Sequence, residues 1–307
     1  MNKHFTGILN RPPRISGLGF FIVLATLGLP GCTSTEAVAA FADSAEKALQ
    51  QGPALFRDIH DSCVRRHADA QAITALYLPG ASEPAASTPA SASGVSNQNG
   101  VCTPFASQGD ALASASGILA SYFGALQQLA AFNTTTVSTP GEHAAESAGY
   151  AAKFSVIQTD SLTKLTGFIT QAFTEKYKRG ALAQYLRDAD PSVASVTRGF
   201  EDIVSQDYKG LLGEEQQTLT ARYQNVGAIN DRATILLLNR AYTGDMNDLA
   251  RRKAAADAFV EALKQIRAGH HELAQNVGHL HGKELSMALH SYAAKLQALT
   301  ADLQKGL

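Results

Sequence analysis

A chain of 307 residues, 45 % hydrophobic and 17 % charged, holds enough apolar material for a sizeable core, which excludes wholesale disorder. A net charge of −1 excludes the broad basic field of a nucleic-acid binder. Trp is absent and aromatics make up 7 %, a composition that favours packed helices over sandwiches and barrels, which draw on aromatic and β-branched residues.

The first 31 residues contain Lys3, Arg11 and Arg14 and no Asp or Glu. An almost wholly apolar run, Ile15 to Leu29, follows the basic residues. A basic stretch followed by an apolar one of this length has the pattern of a secretory signal and is too short for a stable span. It ends in Leu29-Pro30-Gly31-Cys32. That ending resembles the lipobox of bacterial lipoproteins. The resemblance implies a signal peptide over 1–31, cleavage before Cys32, a diacylglycerol on the Cys32 sulfur and an acyl chain, such as palmitate, on its freed amine. Several buried chains anchor firmly, because each methylene contributes about 0.8 kcal/mol. Thr33 follows, not Asp, and within the resemblance this favours the outer membrane of a Gram-negative cell, on its periplasmic face. Loss of 1–31 moves the net charge from −1 to −4, so the mature surface does not favour polyanions or acidic headgroups.

Residues 32–36 read as a lipidated tether, and 37–307 as one helical domain. Ala37, Ala40, Phe41, Ala45, Ala48 and Leu49 recur at helical spacing and predict a first helix ending at Gly52-Pro53. The next runs to about Tyr77 on a stripe of Leu55, Phe56, Ile59, Cys63, Ala70, Ile73, Leu76 and Tyr77. Leu78-Pro79-Gly80 stops it. With Cys32 acylated, Cys63 and Cys102 remain as an even pair in an oxidising compartment, and a disulfide is expected between them. It would close a 39-residue separation around a flexible Ser/Ala/Pro-rich insertion, 79–103.

Pro104 is expected to open the third helix, with Leu112, Ile118, Leu119, Tyr122, Phe123, Leu126, Leu129 and Phe132 inward. A fourth starts near Glu142 on Ala148, Ala152, Val156, Leu162, Leu165, Ile169, Phe173 and Tyr177, running on towards Leu186. Asp190-Pro191-Ser192 reads as a boundary. Val196, Phe200, Ile203, Val204, Tyr208, Leu211, Leu212, Leu219, Tyr223, Val226 and Ile229 then keep helical spacing, continuing through Ala233, Leu236 and Leu237. Tyr242 to Asp245 reads as a turn with Asp245 as N-cap. Leu249, Arg252, Ala256, Phe259, Leu263, Ile266, His270, Leu273, Val277 and Leu280 follow in heptad spacing. The pattern resumes at Leu285, Leu289, Tyr292, Leu296, Leu299 and Leu303, and the His- and Gly-rich join at 277–282 predicts a hairpin or sharp bend. The heptads would pair within the chain or, less commonly, as a coiled coil with a second chain. No strand-like alternation survives, so the expected fold is all-α: a bundle of long, mostly antiparallel helices with one disordered insertion. Residues 37–133 read as one layer and 141–307 as the main bundle.

Chemistry-bearing motifs are sparse. GxSxG, SxxK, catalytic-Cys, Walker A and GxGxxG patterns are missing, so no catalytic residue is assigned and no enzyme is expected. Glu214-Glu215, Glu201-Asp202 and Asp188/Asp190 fall where solvated faces and caps are expected, and Arg251-Arg252-Lys253 reads as an ion-pair face towards Asp245 and Asp248. Histidine clusters at His270, His271, His279, His281 and His290. Neutral imidazoles ligate Zn or Cu, yet these lack the i, i+4 spacing that puts two of them on one helix face. The expectation is a lipid-anchored envelope protein, a non-catalytic helical binding or scaffolding module for a partner protein, with no cofactor and no nucleic acid. The alternative is a metal- or small-ligand-binding bundle using the His270–His290 cluster.

Overall fold

Apolar stripes at three- and four-residue spacing are buried only when helices pack on one another. The computed structural model describes residues 33–77, 93–131, 156–174, 179–224, 231–279 and 282–307, and among these no strand occurs. The described helices are α1 (Thr33–Leu49), α2 (Gly52–Tyr77), α3 (Ser93–Ala131), α4 (Val156–Thr174), α5 (Arg179–Asp202), α6 (Lys209–Tyr223), α7 (Arg232–Asn276) and α8 (Lys283–Gly306). A π-helical turn, Ile203–Tyr208, joins α5 to α6, and a 3₁₀ turn, Val277–His279, follows α7.

Two long helices each support a broken one. α1 and α2 lie end to end, antiparallel to α3. Phe41 meets Phe123 edge-on at 5.9 Å, Ser116 Oγ donates to the Leu49 carbonyl at 2.9 Å, and Cys63 is bonded to Cys102. The α1–α2 joint needs glycine: a Cβ at Gly52 would lie 2.5 Å from Ser116 Oγ. In the same way α5, the π turn and α6 lie antiparallel to α7, through Glu201–Arg267 at 2.7 Å and Lys209–Asp257 at 2.5 Å. The π turn has a cause in the sequence. Buried Phe200, Val204, Tyr208 and Leu212 step by four, which outruns a 3.6-residue repeat, and a wider turn absorbs the excess. α8 then returns along α7, bringing Gly306 against Arg251 and Ala255.

Neighbour contacts close a ring, α1 to α3 to α4 to α5 to α7 to α8 and back to α1, while α2 and α6 pack on each other and on α3 and α7. One apolar cluster draws residues from all eight helices. Phe56 sits at its centre, 5.3 Å from Phe200 and 5.7 Å from Phe259. The two expected layers pack on each other, α1 against α8, α2 against α6 and α3 against α4.

The all-α bundle and the closing hairpin match expectation; several boundaries do not. α3 begins at Ser93 and carries Pro104 inside it, so the expected insertion is helical from 93 onward; residues 78–92 lie outside the described residues. Pro191 likewise sits inside α5. Buried Leu186, Ala189, Val193 and Val196 flank it, and their burial outweighs the roughly 3 kcal/mol that an interior proline costs. α4 does not run on towards Leu186 as one helix: Phe168 meets Tyr185 at 5.3 Å, so α4 and α5 fold back on each other. The expected start near Glu142 lies outside the described residues. No turn forms at Tyr242–Asp245. α7 passes straight through, and its N-cap is Asp231, whose carboxylate accepts from the backbone N–H groups of Ala233 and Thr234. Finally, Ala70 is exposed, whereas Ser62 and Asp69 are buried, because this end of α2 faces charged residues of α6.

Candidate functional site

Of the expected site residues, Cys32 and His281 lie outside the described residues. Cys63 and Cys102 form the expected disulfide, with Cα atoms 5.9 Å apart. His270 and His271 share one carboxylate: Asp190 lies 3.0 Å from His270 Nδ1 and 2.8 Å from His271 Nδ1. His290 is exposed on α8, and His279 ends the 3₁₀ turn. Asp190, read from the sequence as a helix boundary, is thus a bridging acceptor. His270 is fully buried, and its Nε2 lies 2.6 Å from the Tyr122 hydroxyl. One proton arrangement satisfies the whole chain: Tyr122 donates to Nε2, and both Nδ1–H groups donate to Asp190. Burial lowers the His270 pKa against the pull of Asp190 and keeps the ring neutral. Burial alone would raise Asp190, but hydrogen bonds from His270 and His271 outweigh it and hold the carboxyl below its ordinary range. The order Tyr–His–Asp looks like a nucleophile, base and orienting acid. Yet Tyr122 is fully buried against Phe123 and Phe168. An open groove of about 330 Å³ runs nearby between α4 and α5, and none of the relay residues lines it. The relay ties α3, α5 and α7 together.

A larger polar seam joins α2, α6 and α7. Arg252 Nη1 and Nη2 donate to the two oxygens of Glu215 at 2.8 and 2.7 Å. Arg252 Nε donates to Asp248 at 3.0 Å, and Nη1 also lies 3.3 Å from Asp58. Glu215 further accepts from Ser62 at 2.6 Å and Arg65 Nε at 2.9 Å. Asp58 accepts from Arg65 and Tyr208, both at 2.6 Å. Burial alone would raise the Glu215 pKa; the bonds from Arg252 and Ser62 and the charges of both arginines outweigh it, so it stays ionised. Burial, reinforced by Asp58, pushes the Tyr208 phenol up.

Sequence spacing placed Arg252 on the inward stripe and read it as pairing towards Asp245 and Asp248, and its bond to Asp248 forms at 3.0 Å. The structure puts its side chain 8 % exposed and Glu215's 5 % exposed, which corrects the solvated reading of Glu215. Asp58, Arg65 and Tyr208 had drawn no chemical reading. Apart from the Asp58–Arg65 pair within α2, their partners lie far off in sequence, as with Asp58 and Arg252, 194 residues apart, and no local pattern announces such a pair. A cleft of about 260 Å³ opens beside the seam, between Arg65, Asp69, Glu215, Arg222, Asp245 and Arg252. Arg222 donates to Asp69 at 2.6 Å and Tyr223 to Asp245 at 3.1 Å. These guanidiniums and carboxylates pair with one another, so the cleft presents a balanced ion-pair wall.

Among the described residues, one group of three metal-ligating side chains comes together: Cys63, His67 and Cys102, with ligand atoms all within 4.8 Å of one another. His67 follows Cys63 by one helical turn, and that i, i+4 pair was the signal in the sequence; attention to His–His pairs passed over it.

The amino-terminal end of α7 differs from the rest of the molecule. Leu236 and Leu237 are each 69 % exposed, although the sequence stripe placed them inward. From Leu249 onward the α7 stripe is buried as expected. No described helix is long and apolar enough to cross a membrane. The sequence matches no known family model and no curated protein, and the fold matches no solved structure.

Proposed function

We propose that this chain is a lipid-anchored envelope protein of the outer membrane, facing the periplasm, whose helical bundle holds a partner protein without catalysis. The anchor reading is supported by Leu29-Pro30-Gly31-Cys32 after a basic and then an apolar stretch. The observation that carries the binding reading is the exposed start of α7. Ala233, Leu236 and Leu237 are exposed, and Ile235 and Leu238 are half-buried. Burying one leucine contributes about 1.5–3 kcal/mol, so a solvent-facing pair on a rigid helix favours association. Arg232 and Arg240 flank the pair and are exposed; the nearby carboxylate of Asp231 caps the helix. A partner that fits presents an apolar groove with a carboxylate rim, in the helix-in-groove mode.

Photo-cross-linkers placed at 236 and 237, in intact Gram-negative envelopes, test this. One discrete protein adduct is expected, and it disappears in Leu236→Glu. Absence of any adduct from both positions overturns the binding reading, and an unacylated Cys32 by mass spectrometry overturns the anchor.

A further inference from the structure

We infer that the dithiol form of this protein carries a metal site, made by Cys63, His67 and Cys102, for a thiophilic d¹⁰ cation such as Zn²⁺, and that closing the disulfide abolishes it. Two helices build the site. Cys63 and His67 stand one turn apart on α2, and Cys102 faces them from α3. Both sulfurs and a ring nitrogen of His67 lie within 4.8 Å of one another. Two thiolates about 2.3 Å from one zinc stand roughly 3.8 Å apart, so the two sulfurs, bonded to each other in the structure, part on reduction, and rotation of the two cysteine side chains supplies that separation. Both cysteines are buried, so the ligands are held by packed helices rather than gathered from mobile loops.

A second observation points to a ligand. His67 Nε2 is shut off from solvent and has no hydrogen-bond partner. Buried polar atoms in folded proteins nearly always have a partner, so this imidazole calls for a group its neighbours do not supply. Two thiolates and one imidazole suit Zn²⁺ or Cu(I) better than harder cations. Three protein ligands leave a fourth position to water or a small ligand.

The chemistry balances without any electron transfer. Each thiol releases its proton to solvent and gives a sulfur lone pair to Zn²⁺, so two protons leave as one cation binds. The competing step removes two electrons and two protons from the same thiols and passes them to a disulfide-bearing oxidant, which becomes a dithiol. The sulfurs serve one bond or the other, so the redox state of the pair decides whether metal enters. Every newly made chain starts in the dithiol form.

The test uses the full chain, reduced with a phosphine, freed of it under anaerobic conditions, and titrated with Zn²⁺ alone against a chromogenic chelator. The reduced chain takes up one equivalent and the oxidised chain none. His67→Ala weakens uptake by at least about tenfold, and Cys63→Ser abolishes it. Circular dichroism melts supply an independent readout: Zn²⁺ raises the midpoint of the reduced wild type and raises that of reduced His67→Ala by less. Equal uptake by reduced and oxidised chains overturns the site, as does unchanged affinity in His67→Ala. A reduced chain that loses its helices and does not regain them with Zn²⁺ overturns it too.

Discussion

At the scale of single residues, Arg252 decides most. It is a cation on an inward stripe, and an unpaired buried guanidinium would be ruinous. Glu215 meets it with both oxygens, while Asp248 and Asp58 take up its remaining donors. Removing one partner of such a pair typically costs about 3–5 kcal/mol, whereas an apolar replacement of both is often near neutral. Glu215→Leu should therefore lose about 3 kcal/mol in urea melts, at the low end because Asp248 and Asp58 still hold the arginine. Glu215→Leu with Arg252→Met should lose at least about 1 kcal/mol less than the two single losses together. Simple additivity would show that the pair does not act as a unit. The place of Arg252 was legible, since it falls in step with Leu249 and Ala256. Its partners were not, because Glu215 reads locally as half of an acidic pair on a solvated face. Only the meeting of α2, α6 and α7 turns it inward.

At the scale of elements, close approaches and cross-links set the geometry. α3 passes α2 so closely that a Cβ at Gly109 would lie 2.6 Å from the Phe56 carbonyl oxygen. A backbone atom cannot step aside like a side chain, so Gly109→Ala should lose about 1–3 kcal/mol, read from chemical denaturation. Cys63→Ser removes a bridge across 39 residues, and chain entropy puts the loss near 4 kcal/mol. Its midpoint should match that of the reduced wild type in the absence of metal. Leu236→Glu makes the contrasting case: an exposed side chain contributes within about 0.5 kcal/mol to folding, so the midpoint should hold while the cross-linked adduct is lost. Helix existence was readable wherever burial followed a stripe, as along α1, α3, α8 and the later part of α7. Helix ends were read less well. Pro104 and Pro191 were taken as starts, yet each lies inside a helix because packing on both sides outweighs the local penalty. Gly244 was taken as a turn, yet Tyr223, on α6, meets Tyr242 at 5.2 Å and donates to Asp245, which holds α7 helical there.

At the scale of the whole molecule, the buried titratable groups sum to a direction in pH. The folded state lowers the pKa of His270 from its ordinary 6.5, of Glu215 from 4.5 and of Asp190 from 3.8. A group whose pKa is lower in the folded state binds more protons when unfolded, so its contribution is present above the unfolded value and declines as pH falls below it. The three losses are therefore staggered. His270 begins to withdraw stability below about pH 6.5, and Glu215 and then Asp190 follow in the carboxylate range. Glu46 runs the other way: burial, with help from Asp43, raises its pKa from 4.5, so its contribution is full in acid and lost as pH rises through its folded value. Three groups against one leave acid as the destabilising direction. Melting midpoints should hold level from pH 8 to about 6.5, decline gently towards 4.5, and drop steeply below it. His270→Gln removes the imidazole that titrates, so the gentle limb should flatten while the steep one remains. A gentle limb that persists in His270→Gln would assign it to another group, and the Tyr122–His270–Asp190 chain would then have no part in the acid response of the bundle.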